Sequence, residues 1–114
     1  MITKRQMAVK LRAIGNALVE YSSEKFTDLT PQKLAHIRLR YAIILQATMD
    51  SLYGTEEDRT DAEAYFEGDV FLEHCEELLI DPTLMTYITS NPEEYADTIQ
   101  DYDQTEEDED DLYL

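Results

Sequence analysis

The residues most able to do chemistry at a distance are carboxylates. Glu57, Asp61, Asp69, Glu73, Glu77 and Asp81 fall on one four-residue series, with Tyr65 filling its gap. On a helix, four residues advance about 6 Å along the axis. That step is close to the spacing of phosphates along one nucleic-acid strand, whose axial charge density is high. Glu63, Glu67 and Glu76 widen the stripe. Like charges four apart destabilise a helix by about 0.2–0.5 kcal/mol per pair. This segment accepts several such pairs with almost no interleaved base, whereas an ordinary soluble surface mixes the signs. The pattern points to negative potential as the property being kept. The plain counterpart is a solvated acidic face that serves solubility alone.

Other chemistry is poorly supported. Cys75 sits on an apolar stripe and reads as a small core residue. His74 adjoins it in sequence, and neighbouring helical residues do not face each other. His36 lies between bases and reads as a surface or boundary residue. Phosphate-loop, dinucleotide, zinc-protease and nucleophile-elbow patterns are all missing from the sequence. Asp101, Asp103, Thr105 and Glu107 begin like a calcium loop. The sixth position is Glu106 instead of Gly, and the twelfth is Leu112 instead of Glu, so the match fails. His74 with Glu77 is an i,i+3 pair that lacks a second motif to complete a di-metal site. We expect no catalytic residues, no metal and no cofactor.

The charge is divided by position. Over the 114 residues the formal net charge is −17. Residues 1–49 hold eight bases and three acids, a balance of +5. Residues 50–114 hold one base, Arg59, and 23 acids, a balance of −22. So steep a split is a sign of an electrostatic partner or an acidic tail. The bases of the first half can contact phosphates, but they serve more simply to neutralise the chain's own acids. A lone cysteine excludes a disulfide framework and a zinc finger. Without a long apolar run there is no membrane span, and an intracellular, cytoplasmic protein is expected.

Hydrophobic spacing then supplies the elements that must position these groups. A first helix is expected over about 4–25, opened by a Thr3/Gln6 capping box, with Met7, Leu11, Ile14, Leu18 and Tyr21 as its apolar stripe. Thr30-Pro31 starts a second, which stops at Gly54 and buries Leu34, Ile37, Tyr41, Ile44, Leu45, Thr48 and Leu52. Residues 55–60 read as a polar link. A Thr60/Glu63 capping box opens a third helical segment over about 61–80, which Gly68 can split. Its apolar side is Tyr65, Phe66, Val70, Phe71, Cys75, Leu78 and Leu79, and Asp81-Pro82 ends it. Residues 83–90 make a short helix for want of a partner strand, and Asn91-Pro92 opens a last one to about Gln100. The expected fold class is all-α: a small bundle of about four helices over residues 1–100, followed by an acidic tail over 101–114. In that tail Glu106, Glu107, Asp108, Glu109, Asp110 and Asp111 lie between Tyr102 and Tyr113, and the apolar tip is Leu112-Tyr113-Leu114.

The composition resembles a functional class: small acidic proteins, often of phages and mobile elements, that imitate nucleic acid. The likeness is one of composition and transfers no residues. It implies a non-enzymatic inhibitor whose acids, with Tyr102 and Tyr113, occupy the basic groove of a nucleic-acid-binding protein. The rival expectation is a helical adaptor, dimeric in one version, whose acids only solubilise it.

Overall fold

The computed structural model describes residues 2–103, with side chains for residues 2–99. Every element among them is a helix, and there are six: α1 (Lys4–Ser23), α2 (Pro31–Tyr53), α3 (Glu56–Glu67), α4 (Asp69–Glu77), α5 (Pro82–Ser90) and α6 (Pro92–Asp103). The expectation of about four is corrected to six, and two local features reshape the helical segment expected over about 61–80.

The first is where α3 begins. Thr55 caps it: its hydroxyl accepts from the Asp58 N–H at 3.1 Å, and Asp58 accepts in return from the Thr55 N–H at 3.3 Å. The expected cap, Thr60, lies inside the helix, where its hydroxyl donates to the Glu56 carbonyl. Gly54 makes this early start possible. A Cβ there would stand 2.6 Å from both the Asp50 carbonyl and the Asp58 Cβ, so only glycine lets the end of α2 run directly into the first turn of α3.

The second is the break at Gly68. Its N–H closes a tight turn onto the Tyr65 carbonyl at 3.2 Å, and its backbone is extended. The reward for turning is aromatic. Phe66 and Phe71, on either side of the break, meet edge to face with ring centroids 5.3 Å apart, and Tyr65 meets Phe71 at 5.7 Å. A continuous helix would point these rings apart. The same turn leaves Val70 on the surface, although the continuous pattern places it inside.

α1 and α2 form an antiparallel pair. Tyr53 donates to the Ile2 carbonyl at one end, Gly15 faces Leu45 midway, and Ser22 meets Tyr41 near the other. Met7, Leu11, Ile14 and Leu18 are buried as expected, together with Ile37, Tyr41, Ile44 and Thr48. Leu34 and Leu45 are half-buried, and Leu52 is exposed. At the end of α1 the stripe steps to Ser22, which is fully buried, and leaves Tyr21 outside. α6 lies against α1, α3 lies against α2, and α4 and α5 close the core with Phe71, Cys75, Leu78, Ile80, Met85 and Ile88. α6 extends to Asp103, three residues past its expected end.

α4 ends in a Schellman motif. The Ile80 N–H reaches back to the Cys75 carbonyl at 3.0 Å, and the Leu79 N–H reaches the Glu76 carbonyl at 3.1 Å. Leu79 adopts φ 57°, a left-handed conformation that normally selects glycine. Asp81 then caps α5, accepting from the Thr83 N–H at 2.9 Å.

Candidate functional site

The acids singled out by spacing all lie on the surface, but on three separate elements. Glu57, Asp61, Glu63 and Glu67 are exposed on α3; Asp69, Glu73, Glu76 and Glu77 are exposed on α4; Asp81 is the cap of α5. The single rod implied by a helix over 61–80 is therefore corrected to short rows. Glu57 and Asp61 make one row on α3, Glu63 and Glu67 a second, and Asp69, Glu73 and Glu77 a third on α4. Within each row the step is still about 6 Å. Glu56 and Asp58 join the α3 acids, because the helix starts earlier than its expected cap. The signal for them was the Thr55-x-x-Asp58 spacing.

Two members of the series have internal work. Arg40 Nε donates to Glu77 Oε1 at 2.6 Å, and His36 Nε2 lies 3.3 Å from the same oxygen. These bonds tie α2 to α4 and hold the Glu77 carboxyl below the usual carboxylate range, the Arg40 hydrogen bond contributing most. Asp81 is occupied by its capping bond. Among the described residues no ion pair reaches Glu57, Asp61, Glu63, Glu67, Asp69, Glu73 or Glu76. Tyr102 belongs to α6, but its side chain lies outside the described residues, as do Glu106, Glu107, Asp108, Glu109, Asp110, Asp111 and Tyr113 altogether.

Sequence reasoning missed the apolar residues set among these acids. Val70 and Leu72 on α4 are about half exposed, as are Leu79 at its end and Tyr87 on α5. Beside them, a groove of about 310 Å³ runs between the α3–α4 corner and α5, lined by Phe66, Phe71, Leu72, Pro82 and Thr86. A continuous helical period places Val70 and Leu79 inside; the turn at Gly68 and the left-handed residue at the end of α4 put them outside.

The groups with ordinary catalytic potential are subdued. Cys75 is fully buried, and burial pushes its thiol up to about 11. His74 Nδ1 lies 2.8 Å from the Tyr65 hydroxyl, and burial, aided by Arg40, pulls the imidazole pKa below its ordinary value. Among the described residues no group of three or more His, Cys, Asp or Glu is placed to hold a metal ion, and no helix is long and apolar enough to cross a membrane. Comparison with known proteins finds no matching family model, no similar curated protein and no similar solved structure.

Proposed function

We propose that the protein is a non-enzymatic inhibitor or regulator, of the phage or mobile-element kind, that imitates nucleic acid. Acting in the cytoplasm, it sets the carboxylates of α3 and α4 into the basic nucleic-acid groove of a target protein. One observation carries this reading: nine exposed carboxylates on two consecutive helices have no ion pair among the described residues, and Arg59 is the single Lys or Arg on either helix. Such a surface steers a basic partner and replaces its phosphates. The broken helix gives short rows at a corner, which suits a bent or groove-lining target better than a straight duplex channel. Val70, Leu72 and Tyr87 add apolar contact within the acidic field, and the acids beyond residue 103 add further charge.

The test is affinity capture from nuclease-treated bacterial lysate at about 0.15 M and about 0.5 M salt, between which the Debye length shrinks markedly. The bait is run beside a variant carrying Glu57→Gln, Asp61→Asn, Asp69→Asn and Glu73→Gln, which spares the structural Glu77 and Asp81. Capture of a nucleic-acid-binding protein that is lost at high salt, in the variant and on adding DNA supports the reading. A partner that survives all three overturns it. The half-exposed Val70, Leu72, Leu79 and Tyr87 favour a second reading, a helical adaptor binding through apolar surface. A salt-resistant partner lost on Leu72→Ser and Tyr87→Ser would select it.

A further inference from the structure

We propose that the groove between α2 and α3 receives a basic amphipathic helix of the target protein, of the kind that otherwise enters a DNA major groove. The inference rests on the reading of the protein as an imitator of nucleic acid, and it names the element of the target that is held. The groove encloses about 490 Å³. Ala42, Ile43 and Ala47 of α2 make it apolar together with Ala62 and Tyr65 of α3. Asp50 and Asp61 line it too, and no Lys or Arg does. Asp50 accepts from the Gln46 side chain at 3.0 Å, and no ion pair reaches either carboxylate among the described residues. The face of α2 beside the groove lacks the polar residues of an ordinary surface. From Tyr41 to Met49 the helix carries no charge. Its inner side buries Tyr41, Ile44 and Thr48, yet Ala42 is exposed and Ile43 half-buried. Leu39, one turn earlier on that outer side, is 54% exposed, the most of any large hydrophobic residue among those described. A surface helix turns a polar face outward, and one that is apolar all round is covered.

Shape and charge select the occupant. An extended peptide docks on the open edge of a sheet, whereas a groove between helices takes the apolar face of another helix. Every described element is a helix. A second copy of this chain would bring another −17 and be repelled. A basic helix is attracted instead. From Ala42 to Asp50 the α2 side of the groove runs about 12 Å, room for two turns of an occupant. Glu57 lies one turn before Asp61 on α3, so bases on one flank of the occupant meet carboxylates spaced like successive phosphates. A DNA major groove admits an α-helix between charged backbones and offers thymine methyls as apolar contacts. Here the α3 wall supplies the charge, and the alanines and Ile43 supply the apolar contact.

The experiment titrates the isotope-labelled full chain with a leucine–lysine peptide of about five turns, patterned with the helical period. A reordered peptide of the same composition, without an apolar face, runs beside it. The expected result is amide NMR shifts concentrated at Ala42, Ile43, Gln46, Ala47 and Asp61, with the reordered peptide bound about tenfold more weakly. Ala47→Gln, which fills the groove, should weaken binding about tenfold, and Asp61→Asn about two- to fivefold. Ala42→Gln, at an exposed position, replaces Ala47→Gln if the latter does not fold. Shifts spread evenly over the acids of α3 and α4, or equal binding of the two peptides, overturn the inference and leave the nucleic-acid reading standing, since charge alone then suffices. Broadening at the groove amides that grows with chain concentration, without peptide, gives the groove to a second copy and also overturns it. A groove that holds the peptide while the captured partner resists DNA and high salt would keep the helix site and retire the imitation.

Discussion

The Ser22 hydroxyl lies 2.6 Å from the Tyr41 hydroxyl, with both side chains sealed from solvent. Ser22 also donates to the Leu78 carbonyl at 2.8 Å, so Tyr41 is the donor to Ser22. One relay thus joins α1, α2 and the C-terminal cap of α4. Ser22→Ala strands both the phenol and the carbonyl, whereas Tyr41→Phe leaves Ser22 still bonded to Leu78. We expect Ser22→Ala to cost about 1–3 kcal/mol and Tyr41→Phe about 0.5–1.5 kcal/mol. Urea unfolding of the two variants checks the order, and the reverse order would disprove the relay.

The His74 ring is surrounded by Tyr65, Arg40, His36, Glu73 and Glu77. Burial and Arg40 outweigh the two carboxylates, so the folded state prefers the neutral ring. A group with a depressed folded pKa of this basic type takes up its proton more readily when unfolded. Its contribution to stability is complete above about pH 6.5 and declines as pH falls below that value. Wild-type and His74→Asn chains compared in urea at about pH 7.5 and about pH 5.5 should differ in slope, the wild type losing more. The comparison between chains matters, because protonating carboxylates relieves repulsion in both. Equal slopes would remove His74 from the account.

Two backbone positions respond differently to exchanges involving glycine. Leu79 holds a left-handed conformation that costs a non-glycine residue about 1–2 kcal/mol, partly offset by glycine's greater freedom in the unfolded chain. Its side chain is 44% exposed, so Leu79→Gly gives up about half of a leucine's burial, roughly 1 kcal/mol, which offsets the relieved conformation and leaves stability nearly unchanged. Gly54→Ala should lower it by about 1–3 kcal/mol, because the new methyl meets the Asp50 carbonyl and Asp58. A thermal midpoint nearly unchanged by Leu79→Gly and lowered by Gly54→Ala is the expected outcome.

Cys75 should be inert in the native protein. It is 0% exposed, and its thiol is pushed up to about 11 by burial, with a smaller contribution from Asp81. A thiol reagent at neutral pH should modify it only after urea unfolding. Stoichiometric reaction of the folded chain would show that α4 opens.

The legible part of this fold was its punctuation. Thr3 with Gln6, Thr30-Pro31, Gly54 and Asp81-Pro82 are local signals, and each marks the end where it stands. What escaped depended on partners far along the chain. Thr55/Asp58 and Thr60/Glu63 both satisfy capping chemistry, and the choice falls to the first because Gly54 lets α2 and α3 abut. Ser22 displaces Tyr21 from the core because Tyr41 and Leu78 are there to bond it. Glu77 looked like one rung of an acidic ladder, and only the approach of Arg40, 37 residues away, gives it a structural role. The acids of α3 were legible as surface; Val70 and Leu79 were read as core, and the turn at Gly68 and the left-handed end of α4 leave them outside.

Lys10 and Asp97 are joined at 3.3 Å across 87 residues, where α6 covers one flank of α1. At a ribosomal pace of about 5–20 residues per second, α1 is made roughly 4–17 seconds before the helix that shields it. During that interval the uncovered flank of α1 has only α2 for company. The basic residues 1–49 are therefore made before the acidic half that neutralises them, and seconds before α6 brings Asp97 to Lys10. A chaperone or an anionic surface near the ribosome would meet residues 1–49, while they are newest, as a cationic segment.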